Sequence, residues 1–326
     1  MTRALLKKCV HESKWLLLSC MTVLFAFCWL RVWIVSQIET ERFKSLLELI
    51  PLEWQRFTSV DFTYLITYTG RISLVYDELI VIVCVAIWAI SRGSDCVSGE
   101  VGRGTMEMLL AQPYSRTKVL LTHASVTVGG LLLLAVTAWS GTAVGLNVTT
   151  VVEQHRPAII LPIELPGLGS RIPIPFAKPE VRRTRMSEKV DPHVFWPATV
   201  NLVALGLMIA GFSTLMSSWD RYRWRTIGIV VGTCMVQVII KIAGLAADRT
   251  EWLLYLTALT AYEPEQFVYL ADSSPHLAWQ FFLTNEQGQW IGYGPLWYDA
   301  ILVTIGLISY AGAAIIFCRR DLPAPL

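Results

Sequence analysis

The sequence lacks the short motifs with which many enzymes hold phosphates, metals or reactive groups. It contains no G-x-x-x-x-G-K-[ST] stretch, so it has no P-loop with which to cradle ATP phosphates. The five histidines are scattered, with no H-E-x-x-H motif, and the seven cysteines include no C-x-x-C pair. We therefore expect the histidines to be loop or interface residues and the cysteines to be small apolar residues. The chain is not expected to be an enzyme, and no catalytic, cofactor-binding or metal-binding residues are predicted.

Charged residues are also scarce, at 16% of the chain, whereas hydrophobic residues make up 54% and the mean hydropathy is positive. This balance lies outside the usual range for soluble domains and indicates an integral membrane protein. The net charge is only +2, and the basic residues are spread over loops rather than gathered on one face. The composition therefore predicts a lipid bilayer as partner and no nucleic acid.

Six apolar runs are long enough to cross a bilayer, since a helical span needs about 20 apolar residues. We predict these spans at about 15–35, 72–90, 119–146, 194–216, 226–247 and 296–317. The loop 147–193 is rich in proline, which excludes helix over most of its length. Within this loop, residues 159–165 and 171–176 could pair loosely, although the prolines favour extended structure over a regular sheet. The sequence predicts an all-α membrane protein in which residues 1–326 form a single transmembrane domain.

Basic residues beside the predicted spans indicate how the chain is oriented in the membrane. Four clusters fall on one side, which we expect to be cytoplasmic: Arg3, Lys7, Lys8 and Lys14; Arg92, Arg103, Arg116 and Lys118; Arg221, Arg223 and Arg225; Arg319 and Arg320. The proline-rich loop is also basic, but long loops translocate largely regardless of their charge. The prediction is a multi-pass protein of the cell membrane with both termini in the cytoplasm.

A polar stretch punctuated by glycine, 95–118, separates the second and third spans. Met106, Leu109 and Leu110 are spaced i, i+3 and i+4, so they share one face of a short helix, while Glu107 points elsewhere. A proline at position 113 is expected to end this helix, and a serine at position 115 to cap the next one. A helix of about two turns between two spans cannot form a core of its own. It must lie on the bilayer surface or against another protein.

From Glu100 to Arg116 this stretch spells E-x-x-x-G-T-x-E-x-L-L-x-x-P-x-S-R. It resembles the segment between the second and third spans of permease subunits in type-2 ATP-binding cassette exporters, where a coupling helix docks on a separate ATPase subunit. The resemblance implies a docking role for Glu100, Gly104, Thr105, Met106, Glu107, Leu109, Leu110, Pro113, Ser115 and Arg116. One departure is His123, where many relatives carry a basic residue. The alternative interpretation is an ordinary amphipathic cytoplasmic loop.

The resemblance also implies partners and a direction of transport. A second permease copy and two ATPase subunits would complete the transporter, with ATP and Mg²⁺ bound by the ATPase. A helical element would lie on the outer side between the fifth and sixth spans. The expected function is export of a substrate across a prokaryotic inner membrane. The alternative is an ion-coupled secondary transporter or channel that uses intramembrane acids without an ATPase, and a neighbouring reading frame that encodes a soluble ATPase would argue against it.

Charged residues inside the predicted spans need partners or water, because an unpaired one near the bilayer centre costs about 2.5 to 3.5 kcal/mol. Glu78 and Lys241 each lie about six residues inside the outer end of a span, or roughly 9 Å deep. Gln237 precedes Lys241 by one helical turn and shares its face, while Asp77 and Asp299 lie at similar or shallower depth. We expect a polar cluster in which Asp77 or Glu78 faces Lys241. The alternative is that these side chains reach the outer interface separately.

Overall fold

The computed structural model describes residues 2–38, 40–47, 49–51, 56–111, 115–155, 158–160, 171–173, 180–284 and 289–320. Six helices in these ranges are long and apolar enough to cross a membrane. We number them spans 1 to 6: Arg3–Gln37, Tyr68–Gly102, Arg116–Val148, Pro192–Trp219, Arg223–Ala246 and Pro295–Arg319. The expected all-α membrane fold with six spans is confirmed, and each of the six apolar runs overlaps one of these helices.

Helix is the form that lets such apolar runs satisfy every backbone polar group internally, which a lipid environment demands. Proline is confined to the first turns of spans 4 and 6, at positions such as Pro197 and Pro295, where its missing amide costs no helical hydrogen bond. The remaining four spans contain no proline. The sequence therefore permits long, unbroken helices in most of the bundle.

Span 4 lies at the centre of the bundle. Its most apolar stretch is 67% buried, against 11% for the corresponding stretch of span 5. Span 4 packs against span 2 on one side and span 6 on the other, while spans 1 and 3 pack on each other. Gly211 of span 4 and Gly306 of span 6 bring those two helices so close that a Cβ at either position would collide with the opposite backbone. Span 5 stands at the edge and leaves most of its apolar surface uncovered.

Span 2 is the most irregular of the six. It comprises Tyr68–Ser73, a 3₁₀ turn Leu74–Tyr76, the long helix Leu79–Ser94, a π-helical turn Asp95–Gly99 and a last turn Glu100–Gly102. The helix breaks at Asp77 and Glu78, where Glu78 has extended backbone. The hydroxyl of Tyr262 donates to the carbonyl of Tyr76 at 2.5 Å, which satisfies an acceptor that the break leaves free. Both the break and the π-helical turn carry acidic residues.

The bundle has two distinct ends. The terminal end carries the starts of spans 1, 3 and 5, the ends of spans 2, 4 and 6, and the short helix Met106–Leu110. Gly104, with a φ of +71°, forms the turn into this short helix, in a conformation that a side chain disfavours. The opposite end, which we call the loop end, carries the longer connections.

Short elements cover the loop end. The helical ones are Thr40–Leu47, Phe62–Leu65, Met186–Glu188, Asp248–Leu256, Ala258–Ala261, Pro264–Ser273 and Leu277–Trp279. The helical element expected between spans 5 and 6 is therefore present, as residues 248–273. It packs on spans 4 and 5, so it belongs to the bundle rather than to a detached loop.

The described residues of the loop end also include six short strands: β1 (Thr150–His155), β2 (Ala158–Ile160), β3 (Arg171–Pro173), β4 (Glu180–Arg185), β5 (Phe282–Thr284) and β6 (Trp290–Tyr293). They form three antiparallel pairs, β1 with β4, β2 with β3, and β5 with β6. In the first pair Thr150 lies opposite Arg185, and in the second Ala158 lies opposite Pro173. The described part of the proline-rich loop thus contains two separate two-stranded pairs.

Candidate functional sites at the two ends of the bundle

At the terminal end, two buried carboxylates are surrounded by basic side chains. We call this group the terminal cluster, and its members are Asp95, Glu100, Lys8, Arg92, Arg103 and Arg223. Glu100 has no exposed surface. Its carboxylate accepts hydrogen bonds from Lys8 Nζ at 2.9 and 3.0 Å, from Arg103 Nη2 at 3.0 Å and from the hydroxyl of Thr105. Because Lys8 belongs to span 1, Glu100 ties the end of span 2 to the start of span 1.

Asp95 lies in the π-helical turn and is 4% exposed. Its carboxylate is 2.6 Å from Arg103 Nη1, 3.2 Å from Arg223 Nη1 and 3.4 Å from Arg92 Nη1. Because Arg223 begins span 5, Asp95 links spans 2 and 5. Carboxylate oxygens of Asp95, Glu100 and the exposed Glu12 lie within 4.8 Å of one another. Lys8, Arg92, Arg103 and Arg223 supply the counter-charges for the two buried acids.

The π-helical turn is fixed in place by Ser217 of span 4. A π turn inserts one residue into a helix and disturbs its regular hydrogen-bond ladder. The amides of Val97 and Ser98 donate to Ser217 Oγ at 3.2 and 2.9 Å, and this hydroxyl donates in turn to the carbonyl of Ser94 at 3.0 Å. The central helix of the bundle therefore positions the turn that carries Asp95.

The short helix Met106–Leu110 turns its apolar residues toward the bundle. Met106 is only 3% exposed and packs in a cluster with Leu120 of span 3 and Phe317 of span 6. Leu109 is half-buried and packs against Leu5, Cys9 and Val119 from spans 1 and 3. The exposed face instead presents Glu107 and Met108, the latter 72% exposed. Met106 and Leu109 belong to the predicted docking set, but in this structure the protein's own spans cover them.

Ser115 and Arg116 fix the start of span 3. Ser115 caps this helix as expected, its hydroxyl accepting from the amide of Lys118 at 3.4 Å. Arg116 donates to the carbonyls of Phe317 at 2.9 Å and Arg320 at 2.5 Å, so it holds the end of span 6. Two further residues of the predicted docking set, Pro113 and the side chain of Leu110, lie outside the described residues.

At the loop end, the polar residues predicted to form one cluster have several different partners. Glu78 pairs with Arg31 of span 1, with 3.3 Å between Oε1 and Nη2. Asp299 of span 6 accepts from Asn201 Nδ2 of span 4 at 2.7 Å. Glu78 and Asp299 therefore serve contacts between spans rather than a joint site with Lys241.

Lys241 extends from span 5 to the 3₁₀ segments that follow it. Its Nζ donates to the carbonyls of Leu259 and Tyr262, at 3.0 Å each. Gln237, one turn earlier on span 5, accepts from the amide of Ala258 at 3.1 Å. Together these two side chains attach the helical element 248–273 to span 5.

Asp77 and Lys241 line a common cavity of about 810 Å³ between spans 2, 4 and 5. Glu263 and Glu265, from the connection that follows span 5, line it as well. We call these four residues the cavity cluster. Burial raises the pKa of Glu263, and burial together with the nearby Asp77 carboxylate raises the pKa of Glu265 to about 8. The cavity cluster thus brings three acidic groups and one lysine to a single space.

Residues 9–162 match the family model described as ABC-2 family transporter protein. The matched range contains most of span 1, all of spans 2 and 3, and both carboxylates of the terminal cluster. Over residues 9–162 the chain is similar to the ABC-2 transporter family. Together with the six candidate membrane helices, this match fits a permease subunit of an ABC-2 type transporter, which confirms the resemblance. No curated protein matches the chain.

The permease uses several charged residues for which sequence analysis predicted no site role. Lys8, Arg103 and Arg223 were used only as markers of orientation, and nothing in their spacing shows that they meet at Asp95 and Glu100. Glu263 and Glu265 were likewise not predicted. The sequence Glu-Pro-Glu at 263–265 is a signal in retrospect, since Pro264 begins a helix and places both acids at its start.

Proposed function

We propose that this ABC-2 permease exports a substrate with energy from ATP that a separate ATPase subunit hydrolyses after docking at the terminal end. The observation that carries the proposal is the way in which the short helix Met106–Leu110 is held. One face of this helix packs into the bundle, while the opposite face presents Glu107 and the 72% exposed Met108. A partner that binds the exposed face and moves would therefore move the spans behind it.

The connections behind the short helix reach most of the bundle. Met106 contacts spans 3 and 6, and Leu109 contacts spans 1 and 3. The turn that precedes the helix contains Arg103, which binds both Asp95 and Glu100. Through these two carboxylates the turn is joined to span 1 by Lys8 and to span 5 by Arg223. Close packing transmits a displacement because protein interiors have low compressibility.

The complete transporter that we propose contains two permease copies and two ATPase subunits, with ATP and Mg²⁺ on the ATPase. The terminal end and both chain termini would face the cytoplasm, and the loop end would face the outside of a prokaryotic inner membrane. Four basic clusters at the terminal end support this orientation. The uncovered apolar face of span 5 supports a second permease copy as a neighbour in the membrane.

The test is co-purification of the ATPase with a permease variant altered on the exposed face. The double variant Glu107→Lys and Met108→Asp reverses one charge and removes the exposed apolar side chain, so we expect ATPase recovery to fall to background. A control, Glu251→Lys with Tyr255→Asp, likewise reverses one charge and replaces one exposed large side chain by aspartate, at the loop end. It should leave recovery unchanged, and both variants should reach the membrane in normal amounts.

Two results would overturn the proposal. One is a stable complex, with normal ATP hydrolysis, between the ATPase and the Glu107→Lys, Met108→Asp variant. The other is substrate movement by the permease alone in vesicles under an ion gradient, which is the behaviour of an ion-coupled transporter or channel.

A further inference from the structure

The cavity between spans 2, 4 and 5 is amphipathic. Its walls are apolar along most of their length, and they include Ile82, Val83, Ile87, Ile209, Val231 and Met235. The cavity cluster lies toward the loop end of this space. With a volume of about 810 Å³, the cavity is in the range of sites for small organic molecules, which are mostly apolar with a few placed polar groups.

At the loop end of the cavity, carboxyl groups outnumber the basic side chains around them. Asp77, Glu263 and Glu265 contribute three carboxyl groups. Lys241 contributes one ammonium group, and this group already donates to two backbone carbonyls. Arg56 also lines the cavity, but its guanidinium lies 2.7 Å from the carboxylate of Asp248. Acidic groups are therefore in excess at the loop end of the cavity, whereas its other end is lined by Arg223, which pairs with Asp95.

Glu265 has an acceptor atom that finds no partner among the described residues. The residue lines the cavity although it is only 6% exposed. Its carboxyl group is hydrogen-bonded to that of Asp77, while its Oε2 receives no hydrogen bond. An unpaired buried polar atom is costly, so a native structure that keeps one calls for a donor from elsewhere. The adjacent break in span 2, fixed by the bond from Tyr262 to the carbonyl of Tyr76, presents Asp77 to the same space.

We propose that this cavity binds amphipathic organic cations, with a protonated amine between Asp77 and Glu265 and the apolar part of the ligand along spans 2 and 5. An ammonium group supplies the hydrogen-bond donor that Glu265 Oε2 lacks and offsets the excess of acid. Where Glu265 holds a proton in the empty cavity, ammonium binding releases that proton to solvent. The apolar walls disfavour a bare metal ion, which would need oxygen ligands on all sides.

This inference names the ligand class of the transporter and, as far as transport is concerned, rests on the proposed function. Binding itself does not need the ATPase, so it is measured on purified full-length permease in nanodiscs. Phenylbutylamine, phenylbutanol and phenylbutyrate share one apolar skeleton and differ in head group. We expect the amine to bind at least about tenfold more tightly than the other two, as a charge-assisted hydrogen bond predicts.

Single substitutions distinguish the contribution of the carboxyl groups to binding from that of the apolar walls. Glu265→Gln and, independently, Asp77→Asn should each weaken amine binding by about tenfold or more without affecting phenylbutanol. The control is Glu78→Gln, because Glu78 is adjacent in sequence but pairs with Arg31. It should bind the amine as the unaltered permease does.

Some lipids carry the same ammonium chemistry, so the nanodiscs are made of phosphatidylglycerol with and without phosphatidylethanolamine. If phosphatidylethanolamine competes with the amine, the site binds a lipid headgroup. If it does not compete, the site binds a free amine. Both results support an ammonium site. Equal affinity for amine and alcohol, or tighter binding of phenylbutyrate, overturns the inference. Co-purification of the ATPase with the unaltered permease is recorded in parallel. If the amine binds but no ATPase co-purifies, the proposed function alone is contradicted. If the ATPase co-purifies but the amine does not bind, this inference alone is contradicted.

Discussion

The two ends of the bundle hold buried carboxylates in opposite ways. At the terminal end, Asp95 and Glu100 are surrounded by lysine and arginine side chains at 2.6 to 3.4 Å. At the loop end, Glu265 is nearly as buried as Asp95, at 6% against 4% exposed. Its Oε2 nevertheless lacks a partner among the described residues, and another carboxyl group, that of Asp77, lies close to it. Burial is similar at the two ends, and the difference lies in the neighbours.

This difference separates a structural role from a binding role. A buried charge that is fully paired joins the elements that supply its partners, and removing one partner leaves the other uncompensated. A buried acid that is not paired keeps its capacity for a ligand, at a cost to the stability of the empty protein. We therefore assign the terminal cluster to the transmission of motion between spans and the cavity cluster to ligand binding.

The largest effect on stability is expected at Glu100, because this carboxylate is fully buried and accepts hydrogen bonds from several side chains. Glu100→Leu removes the common acceptor of Lys8 Nζ, Arg103 Nη2 and Thr105 Oγ1, and with it the side-chain link between the end of span 2 and Lys8 of span 1. Arg103 keeps its contact with Asp95 through Nη1. Breaking a buried ion pair in this way typically costs about 3 to 5 kcal/mol. We expect the free energy of unfolding of the purified permease to fall by about 3 kcal/mol, measured by denaturant unfolding in detergent.

The matched control for Glu100→Leu is Glu107→Leu, which makes the same change at an exposed position of the same segment. A surface substitution of this kind usually changes stability by about 0.5 kcal/mol or less. Equal effects of the two substitutions would contradict the structural role of the terminal cluster, since they would show that the pairing around Glu100 contributes nothing.

The sequence predicts the six spans well because bilayer thickness alone fixes the length and polarity of each run. It also predicts the cap at Ser115, because a cap depends on residues within one turn. The partners of Glu100 and Asp95 could not be predicted in the same way. Lys8 is 92 residues from Glu100, and only the packing of spans 1, 2 and 5 brings these groups together.

The short helix Met106–Leu110 shows a different limit of sequence reasoning. Its periodicity correctly places Met106 and Leu109 on one apolar face, but periodicity does not say which surface that face meets. Spans 1, 3 and 6 meet it, whereas Met108, which lies outside the predicted apolar face, is exposed. The local sequence determines which residues share a helix face, whereas tertiary packing determines which surface that face contacts.

An intermediate effect, visible as a change with pH, is expected at Glu265. Burial and Asp77 raise its pKa from 4.5 to about 8, so between these values the folded state holds a proton that the unfolded state has lost. Stability from this group is therefore present at low pH and is lost as the pH rises toward about 8. Glu265→Gln should flatten this decline, measured as the melting temperature of the permease between about pH 5 and about pH 8.

The groups that face Glu265 are Asp77, Lys241, Glu263 and Tyr262, and they stay in place in the Glu265→Gln variant. Glu251→Gln serves as the control, because Glu251 is exposed at the same end. If the melting temperature of Glu265→Gln declines with pH as steeply as that of the control, the acid at position 265 is not the group that titrates.

The smallest effect is expected at Glu78, although it is adjacent to Asp77 at the break in span 2. Its carboxylate is 3.3 Å from Arg31, and its side chain is 39% exposed, so solvent already screens the pair. Partly exposed ion pairs contribute about 0 to 1 kcal/mol, and glutamine keeps an acceptor for the guanidinium. Glu78→Gln should therefore lower the free energy of unfolding by less than about 1 kcal/mol. Denaturant unfolding in detergent measures this change, and a loss as large as that of Glu100→Leu would show that the loop end, too, depends on a paired acid for its shape.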